Sequence, residues 1–457
     1  MKTSKNIFNR KVFAFLGAAA FMFAAVFIAG CKTEVSSSDP VPETFALTFK
    51  PGEHGSVDAK AGGKAVATGA KLEKGTTVEF TATPESGYEV DKWTVTGGEL
   101  IEGTGAEGST TAKVKVTGDV TVNVTFTPVY KPVLFSDLSN YLQNTASSTD
   151  VNKIEVQGLT AADLKGNSWH DASPLGKILE ANSDKKVALK FGGKIEGLTD
   201  MSYCFSGCKS LTQAPAIPTG VTDMEGCFID CTSLTQAPAI PTGVTSMMEC
   251  FAVCTSLTQA PAIPTGVTNM SYCFSGCTSL TQAPAIPTGV TDMKSCFSGC
   301  TSLTQAPAIP TGVTTMNYCF TQCTSLIQAS EIPSGVTYMN ECFFGCTSLT
   351  QAPAIPDSVT YMYRCFRDCT SLTQAPAIPS GVTYMSSCFS GCTKLESAVL
   401  KCNYNPAEIV GTLAFKDTFK DCTSLPAGGI KVPAAQLGTY RTNASVMGVP
   451  ADRFAAE

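Results

Sequence analysis

Hydrophobic residues recur through the centre of the chain with a period of 23 positions. In one unit, residues 220–242, Met224, Cys227, Phe228 and Cys231 are spaced i, i+3, i+4 and i+7, the apolar stripe of a short helix. Leu234 then opens a short extended segment. Neither element can bury its apolar side alone, so consecutive units must stack. The pattern predicts a solenoid over residues 200–401, with a short helix and a short strand in each unit. The first cysteine of each unit recurs without a break at Cys204, Cys227, Cys250, Cys273, Cys296, Cys319, Cys342, Cys365 and Cys388.

A different pattern occupies residues 44–129, where β-branched or aromatic residues alternate with polar ones. Residues 77–83 and 120–126 are two such runs, and glycine-rich turns separate them from their neighbours. Period-2 alternation predicts antiparallel strands with one buried face, and therefore a small all-β domain. Trp93 and Tyr88 lie in this pattern, and we expect them to pack in or beside the core rather than form a carbohydrate platform.

Irregular segments flank the repeats. Residues 130–199 contain helical spacing at 135–142 and 174–181, with Ser173 as the expected N-cap and Pro174 at the first helical position. Strand-like runs occur at residues 153–156 and 186–191. These segments predict an N-terminal cap, because terminal units must cover the end of the apolar core. Residues 402–457 are interpreted as a degenerate repeat, in which Thr418 replaces the first cysteine, followed by a C-terminal cap.

The N-terminus reads as a targeting segment. Four basic residues precede an apolar stretch that ends in Ile28, Ala29, Gly30 and Cys31. This tetrapeptide resembles the bacterial lipobox, which implies a signal peptide over residues 1–30 and a lipid on Cys31. An ordinary signal peptide or a spanning helix is the alternative. Residues 31–43 are rich in Ser and Pro and predict a tether.

The composition of the chain argues against nucleic-acid binding and against catalysis. The net charge is −6, only 15% of residues are charged, and no basic patch indicates nucleic-acid binding. His54 and His170 are the only histidines, and His170, beside Trp169, is the only candidate catalytic base. No nucleophile–His–acid set, phosphate loop or metal cluster is apparent. We therefore predict a protein that is not an enzyme and needs no cofactor or metal.

The paired cysteines of the repeat allow three interpretations. Their Cys-x-x-x-Cys spacing differs from that of zinc knuckles, and no histidine accompanies it. On a helix, Cβ atoms at i and i+4 are ~5–6 Å apart, whereas a disulfide needs ~3.5–4.5 Å. We favour buried core thiols. Disulfides within or between units are the alternative in an exported protein, and metal binding is the least favoured.

One variable position of the repeat is a candidate contact surface. It holds small or polar residues in the early units and tyrosine in three consecutive late units, at Tyr338, Tyr361 and Tyr384. Tyrosine supplies rigid, amphipathic contact area. We predict a binding surface here, with unconstrained solvent-facing residues as the alternative.

Two resemblances add to this interpretation. Residues 267–280, with Met270, Cys273, Phe274, Cys277 and Leu280, resemble BspA-type (Treponema pallidum-type) leucine-rich repeats, although Cys273 fills a position that holds Met or Ala in the family. The C-terminal Val-Pro and Tyr pattern is similar to the family's ending. Residues 75–84, 87–93 and 120–126 resemble the divergent internalin B-type repeat of bacterial surface proteins, which implies a β-rich spacer.

The repeat family implies exported surface proteins, often lipoproteins, that act in adhesion. We therefore expect a lipoprotein anchored to a membrane through Cys31, on the outer surface of the cell envelope. Its solenoid would bind a protein ligand on a host or on other bacteria. A structural or antigenic coat protein without a specific ligand is the alternative.

Overall fold

The computed structural model describes residues 42–85, 87–405 and 411–457. The predicted signal peptide, Cys31 and the tether up to residue 41 lie outside these residues. The chain divides into two compact units, one up to residue 126 and one from residue 127 onward, with residues 87–89 grouped with the second. Each is described by itself.

The first unit is a seven-stranded sheet, which confirms the all-β prediction. Its strand order is β3-β2-β5-β7-β1-β4, and β6 also pairs with β7. The strands are β1 (Thr44–Pro51), β2 (Gly55–Ala61), β3 (Lys64–Val66), β4 (Lys71–Glu73), β5 (Thr77–Pro84), β6 (Tyr88–Leu100) and β7 (Thr111–Pro128). The expectation of purely antiparallel pairing was wrong, because β1 and β7 run parallel, with Leu47 opposite Val120.

Alternate residues of these strands build the core of the first unit. Phe80, Val114 and Val122 are fully buried. Trp93 is only 8% exposed, and its indole Nε1 donates to the carbonyl of Ser109 at 2.8 Å. Tyr88 is half-buried. Both aromatic residues therefore pack as predicted.

The second unit begins with a parallel sheet that leads into the repeats. Its strand order is β11-β10-β9-β8, and helices connect β8 to β9 and β9 to β10. The elements are β8 (Lys131–Leu134), α1 (Phe135–Asn144), β9 (Asn152–Gln157), α2 (Pro174–Glu180), β10 (Val187–Gly192) and β11 (Leu211–Gln213). Ser173 caps α2, because its Oγ accepts from the backbone N–H of Gly176 at 3.0 Å. Since β11 belongs to the first repeat, the cap and the repeats share one sheet.

The helix predicted inside each repeat is wrong. Each unit instead contains consecutive tight turns, in which Cys227 N–H donates to Met224 O and Cys231 N–H to Phe228 O. The residue before each cysteine is left-handed, as at Gly226 (φ 55°) and Asp230 (φ 59°). Such residues interrupt a right-handed helix at every turn. The predicted strand is reduced, in most units, to single parallel bridges.

Backbone and thiol bonds join each unit to the next. The Phe228 N–H donates to Cys250 O at 2.8 Å, and the Cys254 thiol donates to Phe228 O at 3.1 Å. The cysteine pair of one unit therefore holds both polar groups of the preceding phenylalanine, an arrangement we call the thiol clamp. This explains the spacing of the pair. The donating thiols are Cys231, Cys254, Cys277, Cys300, Cys323, Cys346, Cys369, Cys392 and Cys422.

The phenylalanine rings form a continuous stack through the solenoid core. From Phe205 to Phe419, neighbouring ring centroids are 5.3–5.7 Å apart and the rings are nearly parallel, within 12°. Each contact of this kind contributes about 0.5–1.5 kcal/mol beyond area burial. The regular 23-residue ladder confirms the solenoid prediction.

A second parallel sheet closes the C-terminal end, in the order β12-β13-β14. The elements are β12 (Ala398–Val399), α3 (Gly411–Ala414), β13 (Ile430–Val432), α4 (Leu437–Thr442) and β14 (Phe454–Ala456). Thr418 takes the place of a first cysteine, since its carbonyl accepts from Phe389 N–H at 2.9 Å. The buried Tyr440 hydroxyl donates to Cys402 O at 2.9 Å. Across the described ranges, the helices are too short or too polar to cross a membrane.

Candidate binding surface and the cysteine core

The cysteines of the described residues lie inside the molecule. All twenty are buried and unpaired. Burial raises the pKa of every one of these thiols, to about 12 at Cys277 and Cys323. Protonated, inaccessible thiols are poor nucleophiles. This arrangement agrees with core thiols, and a disulfide at the second cysteine would remove a donor of the thiol clamp. Within the described part of the chain, no group of potential ligands is placed to hold a metal ion.

The predicted tyrosine position lies on a continuous ladder of single parallel bridges along the solenoid. We call this ladder the outer column. Its members are Asp200, Asp223, Ser246, Asn269, Asp292, Thr315, Tyr338, Tyr361 and Tyr384. The bridges hold the backbone of each member against its neighbours, so their side chains lie one above another.

In the early units, most side chains of the outer column accept a hydrogen bond from a nearby backbone N–H group. Asp223 Oδ1 accepts from the backbone N–H two residues later, at 3.0 Å. Asn269 and Asp292 make the same bond, at 2.9 and 2.8 Å. These are Asx turns, which explains why short polar side chains occupy these positions.

In the late units, asparagine side chains of the preceding unit accept these backbone hydrogen bonds instead. Asn317 Oδ1 accepts from Asn340 N–H at 2.9 Å, and Asn340 Oδ1 accepts from Tyr363 N–H at 3.0 Å. The N–H groups two residues after Tyr338 and Tyr361 are therefore satisfied without help from the column. The side chains at positions 338 and 361 therefore need not accept a backbone hydrogen bond, and aromatic side chains are permitted there.

The three tyrosines form a stacked, solvent-facing row. Tyr338 and Tyr361 have ring centroids 5.2 Å apart at 26°, and Tyr361 and Tyr384 are 5.9 Å apart at 24°. Tyr338 is 44% exposed and Tyr361 39%, whereas Tyr384 is half-buried. The structure thus brings together the three residues that the sequence singled out.

Further groups adjoin this row. Tyr363 packs against Tyr384 with centroids 6.2 Å apart. The Arg364 guanidinium lies 4.7 Å from the Tyr363 ring centroid and pairs with Glu341 at 3.5 Å. Sequence reasoning missed these residues, because Tyr363 and Arg364 occupy two adjacent repeat positions that carry no regular residue type.

One of the segments of sequence Leu-x-Gln-Ala departs from the other copies and adjoins a cleft. A cleft of about 460 Å³ lies between two adjacent units and includes Gln305, Gln328, Ser330 and Glu331 in its walls. Ser330 and Glu331 replace the Pro-Ala of the other copies, and the neighbouring Ile327, 53% exposed, replaces a threonine. The departure is visible in the sequence, but its position beside a cleft is not.

Comparison with known families covers both units. Residues 201–304 and 291–425 match the BspA type leucine rich repeat region, in six copies. Residues 45–130 match the divergent InlB B-repeat domain. No curated protein sequence matches the chain.

Parts of the chain are similar, at low identity, to solved structures of leucine-rich repeat proteins. A leucine-rich repeat protein from Bacteroides ovatus is 21% identical over 55% of this chain, with a TM-score of 0.45, and the match covers 63% of that protein. A T. pallidum leucine rich repeat protein is 24% identical over 36% of this chain and 79% of its own, with a TM-score of 0.31. A leucine rich cell surface protein from Faecalibacterium prausnitzii is 19% identical over 71% of this chain and 86% of its own, with a TM-score of 0.33.

Proposed function

Since residues 201–425 are BspA-type leucine-rich repeats and residues 45–130 are a divergent InlB B-repeat domain, we propose that the chain is a surface-anchored adhesin. Leucine-rich repeat proteins are typically protein-binding and generally non-catalytic. In this proposal, a lipid on Cys31 anchors the protein on the outer surface of the cell envelope. The solenoid then binds a protein of the host matrix or of partner bacteria.

The observation that carries the proposal is the row of Tyr338, Tyr361 and Tyr384. A contiguous exposed row of aromatic side chains, unlike scattered single ones, marks an interaction surface. The backbone N–H groups two residues after Tyr338 and Tyr361 donate to Asn317 and Asn340 instead of to the column. The row therefore supports a function of the side chains outside the fold.

The chemistry of the row favours a protein partner. Tyrosine and arginine are enriched at the energetic centres of protein interfaces. The Arg364 guanidinium is held between the Tyr363 ring and Glu341, so little of its side-chain entropy would be lost on binding. A flat row of rings over three units suits an extended protein surface better than a small ligand.

Binding is tested with the protein lacking residues 1–31 on immobilised fibronectin, fibrinogen, laminin and collagen, and on partner bacterial cells. The triple variant Tyr338→Ser, Tyr361→Ser and Tyr384→Ser should lose at least about tenfold in affinity for the surface that binds. Thr258→Ser, Thr281→Ser and Thr304→Ser form the matched control, because these exposed threonines lie on the Leu-x-Gln-Ala segments. Equal affinity of the two triple variants would eliminate the tyrosine row.

The anchor is tested separately in cells. Cys31→Ser should abolish labelling by a fatty-acid analogue and release the protein from the membrane fraction. A strain lacking the gene should adhere less to the surface that binds the purified protein. Normal adhesion of that strain would support the coat-protein alternative.

A further inference from the structure

A second cleft lies at the N-terminal end of the solenoid, on residues that play no part in the tyrosine row. Its volume is about 540 Å³, within the range of ligand pockets. Its lining combines the loop residues Trp169 and His170 with the charged residues Glu180, Lys209 and Asp230. Ser183 and Gly207 complete the lining.

Trp169 is the unusual feature of this cleft. The chain has two tryptophans. Trp93 is buried, whereas Trp169 is 44% exposed. Its indole lies parallel to the His170 ring, with centroids 6.0 Å apart at 17°. A large aromatic face exposed to water beside a cleft indicates a surface for a ligand.

The loop that presents Trp169 is firmly held. Asn167 N–H donates to Asp171 O at 2.8 Å, and Lys177 pairs with the Asp171 carboxylate at 2.6 Å. The Ser206 hydroxyl donates to the backbone carbonyl of Trp169 at 2.6 Å. These bonds use the backbone of Trp169 and not its side chain. The indole is therefore displayed by a preorganised loop and does not help to hold that loop in place.

Other residues of the lining supply polar groups. Glu180 is exposed at the end of α2. Lys209 pairs with Asp230 at 3.2 Å, and the Asp230 side chain is only 22% exposed. The cleft thus combines one flat apolar face with two carboxylates, an ammonium, an imidazole and a hydroxyl.

We propose that this cleft binds a neutral saccharide. One face of a pyranose ring is lined by C–H bonds and stacks on an indole, while its hydroxyls donate to carboxylates and accept from an ammonium. Two carboxylates against one lysine disfavour an anionic ligand. A purely apolar ligand would leave the charged residues of the lining desolvated and unpaired. The site goes beyond the protein-binding surface proposed above and does not depend on it.

The two tryptophans make the test direct. Because Trp93 is buried, acrylamide should quench mainly the emission of Trp169. Neutral tetrasaccharides of glucose, xylose, mannose and N-acetylglucosamine are the probes, with tetragalacturonate as the anionic comparison. At least one neutral probe should shield Trp169 from acrylamide and give a saturable heat of binding in calorimetry.

Variants of the full mature chain complete the experiment. Trp169→Ala should weaken binding of that probe by roughly tenfold, and Trp169→Phe should weaken it less. Glu180→Gln and Asp230→Asn should each reduce affinity, while the triple tyrosine variant should bind the saccharide normally. Melting curves should show that Trp169→Ala remains folded, since its loop is held by the backbone.

Three outcomes would overturn the proposal. No neutral probe shields Trp169, or tetragalacturonate binds more tightly than every neutral probe, or Trp169→Ala retains full affinity. None of them would affect the tyrosine row, which is tested with other variants and other probes.

Discussion

Mild alkali should unfold the solenoid because of its buried thiols. In the unfolded chain a cysteine has a pKa near ~8.5. In the folded chain, burial raises the pKa of each thiol, to about 12 at Cys277. Between these values the unfolded chain loses protons that the folded chain keeps. The free energy of unfolding is therefore unaffected below the unfolded pKa, and it falls as the pH rises above that value.

The number of thiols makes this effect large. Each one lowers the free energy of unfolding by about 1.4 kcal/mol per pH unit above ~8.5. For the twenty buried thiols the total loss is about 17 kcal/mol at pH ~9 and about 41 kcal/mol at pH ~10. A unit of about 330 residues has a total stability of roughly 15–50 kcal/mol. We therefore expect unfolding between about pH 9 and about pH 10.3.

The assay is a pH titration under reducing conditions, followed by circular dichroism and by the ultraviolet absorbance of thiolates. Both signals should change together, since a thiol can ionise only after the solenoid opens. The first unit is an internal control, because residues 44–129 contain no cysteine and hold Trp93 in their core. The emission of Trp93 should stay native through the transition.

Two results would refute this reasoning. Thiolate absorbance could rise near pH ~8.5 while circular dichroism stays native, which would mean that the thiols are accessible. Alternatively, the solenoid could remain folded above about pH 11 with its thiols still protonated, which would mean that ionisation of the unfolded chain does not limit the stability of the solenoid.

Two further predictions concern single positions of the repeat. Val253 has φ 60° where five other units carry glycine, so Val253→Gly should raise the free energy of unfolding in urea by about 1 kcal/mol. Gly299→Val at the same repeat position should lower it, and a destabilised Val253→Gly would contradict the strain argument. Cys300→Ala leaves Phe274 O without its thiol donor and should cost about 1–3 kcal/mol more than Cys296→Ala in the same unit. Cys300→Ser should recover part of that loss, because a hydroxyl can also donate, and equal costs for the two alanine variants would count against the thiol clamp.

Much of the fold was predictable from the sequence, because a repeat period and a helix-capping residue can both be recognised from neighbouring residues alone. The prediction of α2 with Ser173 as its cap is confirmed by the bond to Gly176. The helix inside the repeat was wrong, since the spacing of Met224, Cys227, Phe228 and Cys231 also suits turns of three residues. A signal for those turns was present, because Gly207 and its equivalents often precede the second cysteine. At the other left-handed position, Tyr272 and Glu249 carry no such signal.

The candidate site was predictable only in part. The tyrosine row could be found from the sequence, because a fixed period places equivalent residues side by side. Its support by Asn317 and Asn340 could not, since the hydrogen bonds depend on how far a side chain reaches between units. The cleft beside Trp169 lies where the cap meets the first repeats, and no periodicity relates those two segments.

The thiol clamp also makes whole units interchangeable. Because each unit offers its neighbours the same groups at both ends, deleting or inserting one complete set of 23 residues re-forms an equivalent junction. The last junction, in which Cys422 lies 30 rather than 23 positions after Cys392, still forms the clamp, so extra residues are tolerated between the turns of successive units. An insertion within the turns themselves would displace the thiol from its carbonyl. The solenoid can thus lengthen or shorten in discrete steps while both caps stay unchanged. The length of the solenoid could then vary without any new packing problem to solve.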